Sequence, residues 1–184
     1  MLSSPVRRGT PSLAFCIGLV LGGIASAVVS VVAGSLVRAP LPAWLRWLLV
    51  AAVLVVVWLR DRGVLRVTLP ENRRLVPESV LRLGRHLGPL QFGLEMGTGA
   101  RTFMTSGLPY AAVAAVMLIA SFPAALCAGA GFGVGRALMT MSNLRYGPDN
   151  MWSDEWDRHG RWLGVLMASG FVAALGVLAA STLL

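Results

Sequence analysis

Long uncharged apolar runs alternate with short charged clusters along the 184-residue chain. A bilayer core of ~30 Å is crossed by about 20 residues of helix. Five runs reach that scale, over about residues 13–37, 43–59, 89–120, 122–141 and 162–184. Trp44, Trp47 and Trp58 bracket the second and Trp162 opens the fifth, as suits side chains that settle at the membrane interface. The third run is too long for one plain crossing, and its first half is polar. The expectation is an all-α fold: a polytopic transmembrane helical bundle of about five spans, one domain, with the third span broken.

Composition agrees with that pattern. The chain is 56% hydrophobic, with a mean hydropathy of +0.72 and 13% charged residues. A soluble domain of this length needs more polar surface, because only part of its area can be buried. A net charge of +8 would point to nucleic acid in a soluble protein. Here the charges flank apolar spans, so anionic lipid headgroups are the expected partner and nucleic acid is not. All the basic residues are arginine, which reads as the codon bias of a GC-rich bacterial genome.

The apolar run after Arg7 and Arg8 is longer than a signal-peptide core of ~7–15 residues. Although Ala25-Ser26-Ala27 mimics a cleavage site, the first span is expected to be retained. Arginines 60, 62, 66, 73, 74, 82 and 85 lie between spans two and three, and Arg136, Arg145, Arg158 and Arg161 surround the junction of spans four and five. The opposite side carries Arg38 and Arg46. Cytoplasmic loops hold the arginine excess, so the N-terminus is expected inside and the C-terminus outside, in a bacterial cytoplasmic membrane. The 60–88 loop contains Pro70 and Pro77, with Pro89 just beyond it. Pro77 suits the first turn of a short helix over Glu78–Leu87. Its leucines and valines would lie on lipid while Arg73, Arg74, Arg82 and Arg85 meet headgroups. A solvated basic loop is the equal alternative.

The third span holds Glu95 and Arg101 in an otherwise apolar segment. A charge at a helix centre costs roughly 2.5–3.5 kcal/mol on insertion scales, and it persists when paired, turned inward or used. The two lie about 120° apart around an ideal helix and would not meet on a straight one. Gly97, Gly99, Gly107 and Pro109 offer places to break it. A broken helix would let Glu95, Thr98, Arg101, Thr102, Thr105, Ser106 and Pro109 line a substrate or partner contact. Alternatively, Glu95 and Arg101 sit near the cytoplasmic end and pin the bundle to the basic loop.

Glycines four apart recur as Gly18 and Gly22, Gly93 and Gly97, Gly129 and Gly133, and Gly160 and Gly164. Small residues at that spacing let helix backbones approach closely in lipid, so they are read as packing positions. The Gly129–Gly135 run is no dinucleotide fingerprint, since the spacing is wrong and no strand precedes it. An internal echo aligns the segment from Gly18 to Ala25 with that from Gly93 to Ala100, as in a duplicated bundle.

Cys16 and Cys127 fall in opposite leaflets under this topology, so a disulfide is not expected. His86 and His159 have no ligand spacing, and no cofactor, metal or catalytic motif appears. The cluster Asp149, Asp154, Glu155, Asp157 and His159 reads as a solvated interfacial loop. No enzyme activity is expected.

The Phe92–Arg136 stretch resembles one half of the DsbD/CcdA family of membrane reductant conductors, within the wider LysE-like superfamily. Met104-Thr105-Ser106-Gly107-Leu108-Pro109 occupies the place of that family's helix break. The resemblance implies a conducting path beside the break. The family's redox cysteine is absent there, and the family's three spans per half differ from five in all. Two functions follow as expectations. One is a non-catalytic subunit or accessory protein of a bacterial membrane complex, partnered by other membrane subunits or by itself. The other is a small transporter-like or electron- or solute-conducting protein with its site at the broken third span.

Overall fold

The computed structural model describes residues 10–65, 83–99, 107–146 and 151–183. Six helices follow in order: α1 (Thr10–Arg38), α2 (Ala43–Asp61), α3 (Leu87–Gly97), α4 (Leu108–Leu118), α5 (Phe122–Tyr146) and α6 (Met151–Leu183). No strand occurs among the described residues. Among the described residues, four helical stretches are long and apolar enough to cross a membrane: Thr10–Arg38, Ala43–Asp61, Phe122–Ser142 and Arg158–Ala180. Large apolar side chains remain on the outside, among them Leu36, Trp162 and Val177, which is the surface that a hydrocarbon solvent favours. These features place the chain in a membrane.

Packing divides the chain into two units, Met1–Leu138 and Met139–Leu184. In the first, α1 is the central element and its glycines dictate who packs where. Gly18 and Gly22 lie against the backbone of α3, Gly23 against α5 and Gly34 against α4. Without hydrophobic drive between helices in lipid, such close approach is a principal source of adhesion. The order of the pairs sets the directions. Gly18 meets Leu90 and Leu94 while Gly22 meets Gly97 and Thr98, so α1 and α3 run parallel. Gly129 meets Gly23 while Gly133 meets Val20, so α5 runs antiparallel to α1.

The α1–α3 seam repeats itself about a local pseudo-two-fold axis. A Cβ added at Gly18 would be driven into the Leu90 carbonyl, and one at Gly93 into the Phe15 carbonyl. Gly22 faces the Leu94 carbonyl as Gly97 faces that of Leu19. These are the same pairs with the two copies of the sequence echo exchanged. The aligned segments therefore meet each other in register. Phe15 and Phe92 stack beside them, ring centroids 5.6 Å apart.

Neither α3 nor α4, at 11 residues each, is long enough to cross a bilayer alone. Both follow α1 in one direction: Thr98 ends α3 near Ser26, and Met117, late in α4, lies against Gly34. Beyond, Val31, Val116, Ala120 and Ala125 close a small apolar cluster where α4 turns into α5.

In the second unit, α6 begins at Met151. The acidic cluster read as an interfacial loop is therefore helical from Met151 on, with Asp149 outside the described residues. Its sequence suits this: Asp154 falls in the first turn, where an acidic residue favours the helix dipole, and no proline follows Pro148. The short helix expected over Glu78–Leu87 lies mostly outside the described residues. Within that span, Gly84 has a positive φ and α3 starts at Leu87.

Candidate functional site

The polar chemistry of the first unit gathers where α3 stops and α4 starts. At Gly97 the helix ends, Thr98 caps it and Gly99 takes a φ of 72°, a left-handed conformation that costs glycine little. The end of one helix leaves carbonyls, and the start of the next leaves N–H groups, without intrahelical partners. In a membrane each needs a protein partner. Side chains from α1 and α2 supply several.

Ser26 Oγ on α1 donates to the Thr98 carbonyl at 3.0 Å. Thr98 Oγ1 turns back to donate to the Glu95 carbonyl at 2.7 Å. At the start of α4, the Gly107 N–H donates to both carboxylate oxygens of Asp61, at 3.1 and 3.0 Å. Asp61 is the last residue of α2 and also pairs with Arg60 at 3.1 Å. Val57, one turn back, packs over Gly107: a Cβ there would lie 2.8 Å from Val57 Cγ1. At the far end of α4, Arg38 Nη1 donates to the Ala120 carbonyl at 2.8 Å. The short helix is thus met by an anion at its positive pole and a cation at its negative pole, the favourable sense at both ends.

Of the sequence-derived candidates, Glu95 and Thr98 are half-buried at the end of α3, and Pro109 opens α4. Arg101, Thr102, Thr105 and Ser106 lie outside the described residues, as do Arg73, Arg74 and Arg82. Arg85 is exposed just before α3. The glycines Gly18, Gly22, Gly93, Gly97, Gly129 and Gly133 are all at backbone contacts, whereas a Cβ at Gly164 would meet nothing within 4 Å. Cys16 and Cys127 are free thiols, and no group of three metal-ligating side chains occurs among the described residues.

Three residues that sequence reasoning passed over bond to the ends of α3 and α4: Ser26, Arg38 and Asp61. A signal existed for Asp61, the first acidic residue in the chain and set between Arg60 and Arg62 at the end of an apolar run. Around it, Arg62 stacks its guanidinium 4.3 Å from the Trp58 ring centre, an arrangement in which the aromatic face shares the cation.

No family model, curated protein or solved structure matches this chain.

Proposed function

We propose that the chain is a non-catalytic subunit or accessory protein of a bacterial membrane complex. The observation that carries this reading is how the polar groups at the ends of α3 and α4 are used. Asp61, Ser26, Thr98 and Arg38 each cap backbone of the chain itself, and no buried side-chain polar atom among the described residues lacks a partner. Chemistry that is spent on holding helix ends is what a scaffold requires. Backbone-on-backbone contact along α1 adds to it.

In this reading α3 and α4 make one interrupted crossing. From Phe15 to Arg38, the stretch of α1 that they accompany, a helix rises about 35 Å, enough for a bilayer core. With α1, α2, α5 and α6 this gives five crossings, the N-terminus in the cytoplasm and the C-terminus outside. The arginine-rich 60–88 loop then faces the cytoplasm, against anionic headgroups, and is the natural docking element for a partner subunit. Purification in mild detergent with native mass spectrometry tests it. The chain is expected in a defined assembly with another membrane subunit or with itself, and recovery as a lone monomer overturns the reading.

The interruption itself favours a second reading, a small transporter-like or conducting protein, since discontinuous helices build substrate sites in such folds. Its mark would be flux in proteoliposomes that Glu95→Gln abolishes while assembly persists. A thiol relay at the break has no support in the sequence, because the cysteines are at positions 16 and 127.

A further inference from the structure

We propose that one face of the bilayer meets this chain at two heights. Phospholipid headgroups rise to the end of α2, near the middle of α1, while hydrocarbon continues past that level along α1, α3 and α5. The heights follow from the packing. Val116 joins Val31, Met117 lies against Gly34 and Arg38 reaches Ala120, so α4 accompanies the second half of α1. Gly107 lies about 15 Å back from Met117 along α4, which is level with the middle of α1. Val57 and Asp61 meet Gly107 there. The same height follows from α2 itself. Its first residue, Ala43, comes just after the turn that closes on Arg38. From there α2 runs about 27 Å to Asp61, whereas α1 runs about 42 Å from Arg38 back to Thr10. Past Asp61 the chain does not prolong the helix: Gly63 takes a φ of 76°, and Val64 and Leu65 donate back to the Leu59 carbonyl.

The surfaces at that level and beyond it differ in kind. At the end of α2, Asp61 and Arg62 are exposed, and a charge facing hydrocarbon is expensive. Arg60 and Arg62 against one aspartate leave a net positive charge, which suits a headgroup phosphate. Beyond, α1 exposes Leu13 and Ile17, α3 exposes Leu87, and α5 exposes Leu138, past the contact of Gly133 with Val20. These are large apolar side chains that suit lipid tails, and Leu13 lies about 10 Å past the end of α2. Tilting the whole bundle does not reconcile the two surfaces. Moving α2 far enough to bring Asp61 level with Leu13 would draw Trp44 and Arg46, at its other end, into hydrocarbon. A local step in one leaflet does reconcile them, since bilayers thin around a short apolar stretch at modest cost. The step goes beyond the subunit reading and rests on the membrane location alone, so it serves a conductor equally.

Spin labelling of the full chain tests it, with Cys16 and Cys127 replaced by alanine, in vesicles of phosphatidylglycerol and phosphatidylcholine. Val64, at the end of α2, and Leu21, on α1 at about the same height, are both exposed, as is Ile17 one turn further. Power saturation is expected to show a label at Val64 relaxed by a water-soluble nickel chelate, and labels at Leu21 and Ile17 relaxed by oxygen instead. Electron–nuclear double resonance is expected to detect phosphorus beside Val64 and none beside Leu21. If all three positions are wet, the first half of α1 stands outside the membrane. If all three are dry, the end of α2 is covered by protein or tails. Either result overturns the step. A wet Val64 without phosphorus marks a water inlet and overturns the headgroup assignment. Arg60→Gln with Arg62→Gln is expected at least to halve the phosphorus signal while the oxygen relaxation at Leu21 stays as in the parent. An undiminished signal overturns the part given to the arginines.

Discussion

The seam between α1 and α3 and the mounting of α4 solve the same problem by opposite means. Both must attach a helix too short to cross a membrane alone. The seam does so chiefly through glycine: Gly18, Gly22, Gly93 and Gly97 take the Cβ out of the closest approaches, and dispersion over backbone and the stacked Phe15 and Phe92 rings does the rest. The mounting of α4 uses side chains of opposite charge at its two poles. A glycine seam tolerates no added atom, yet needs no particular partner atom. A capped helix depends in addition on a few donors and acceptors. Substitutions should therefore fail differently in the two regions.

The largest effect is expected at the seam. Gly97→Leu would force side-chain atoms into the Leu19 backbone, where even a Cβ would lie 2.8 Å from Cα. Backbone cannot step aside as a flexible side chain can, so the loss should be about 3 kcal/mol or more. Thermal unfolding in detergent would read it as collapse of the folded fraction, and the pseudo-symmetric Gly22→Leu should match it. Near-parental melting of either variant would mean that the seam opens freely.

Arg38→Met comes next, keeping the length of the side chain while deleting its donor. Loss of a charged hydrogen bond to the Ala120 carbonyl should cost about 1.5–3 kcal/mol. The damage should be local, as faster hydrogen exchange at the α4–α5 turn with the α1–α3 seam protected as before. Equal deprotection of both regions would mean that Arg38 serves the whole bundle and not α4 alone. Ser26→Ala should cost less, about 0.6–1 kcal/mol, the usual scale of a hydroxyl bond between membrane helices. Its effect should appear at Thr98 and Gly99, and a cost as large as that of Gly97→Leu would show that the break, not the seam, carries α3.

The contrast also explains what could be read from the sequence. Apolar runs such as 13–37 and 43–59 report how single residues partition into lipid, and this needs no knowledge of neighbours. Glycines four apart are equally local, which is why Gly18, Gly22, Gly93 and Gly97 stood out before any contact was known. That the echoed segments face each other was not legible, since an alignment of two helices does not say which surface each buries. The caps were less legible still. Asp61 reaches Gly107 and Ser26 reaches Thr98 across long stretches of chain, and such pairs follow from the relative depth of helices. The start of α6 was read as loop for a related reason: its acidic residues were weighed as solvated charge, although one in a first turn, as Asp154 is, also favours the helix.

The finest test of the seam lies within α5, which carries glycine at every second position from Gly129 to Gly135. Residues two apart on a helix point to nearly opposite sides, so the four divide into two pairs. A Cβ at Gly129 would lie 2.7 Å from that of Ala27, and one at Gly133 would lie 2.5 Å from the Val20 Cα. At Gly131 and Gly135 it would meet nothing within 4 Å. Alanine at the first pair should separate α5 from α1 and destabilise the bundle. Alanine at the second pair should be neutral or stabilising, by up to about 1 kcal/mol each, because it removes glycine's entropic cost in a helix. Helix, residue type and substitution are the same in all four variants, and they differ only in the face addressed. If melting temperatures fall equally for Gly131→Ala and Gly133→Ala, the penalty belongs to losing any glycine from α5 and not to contact with α1. A split between the pairs ties it to backbone approach.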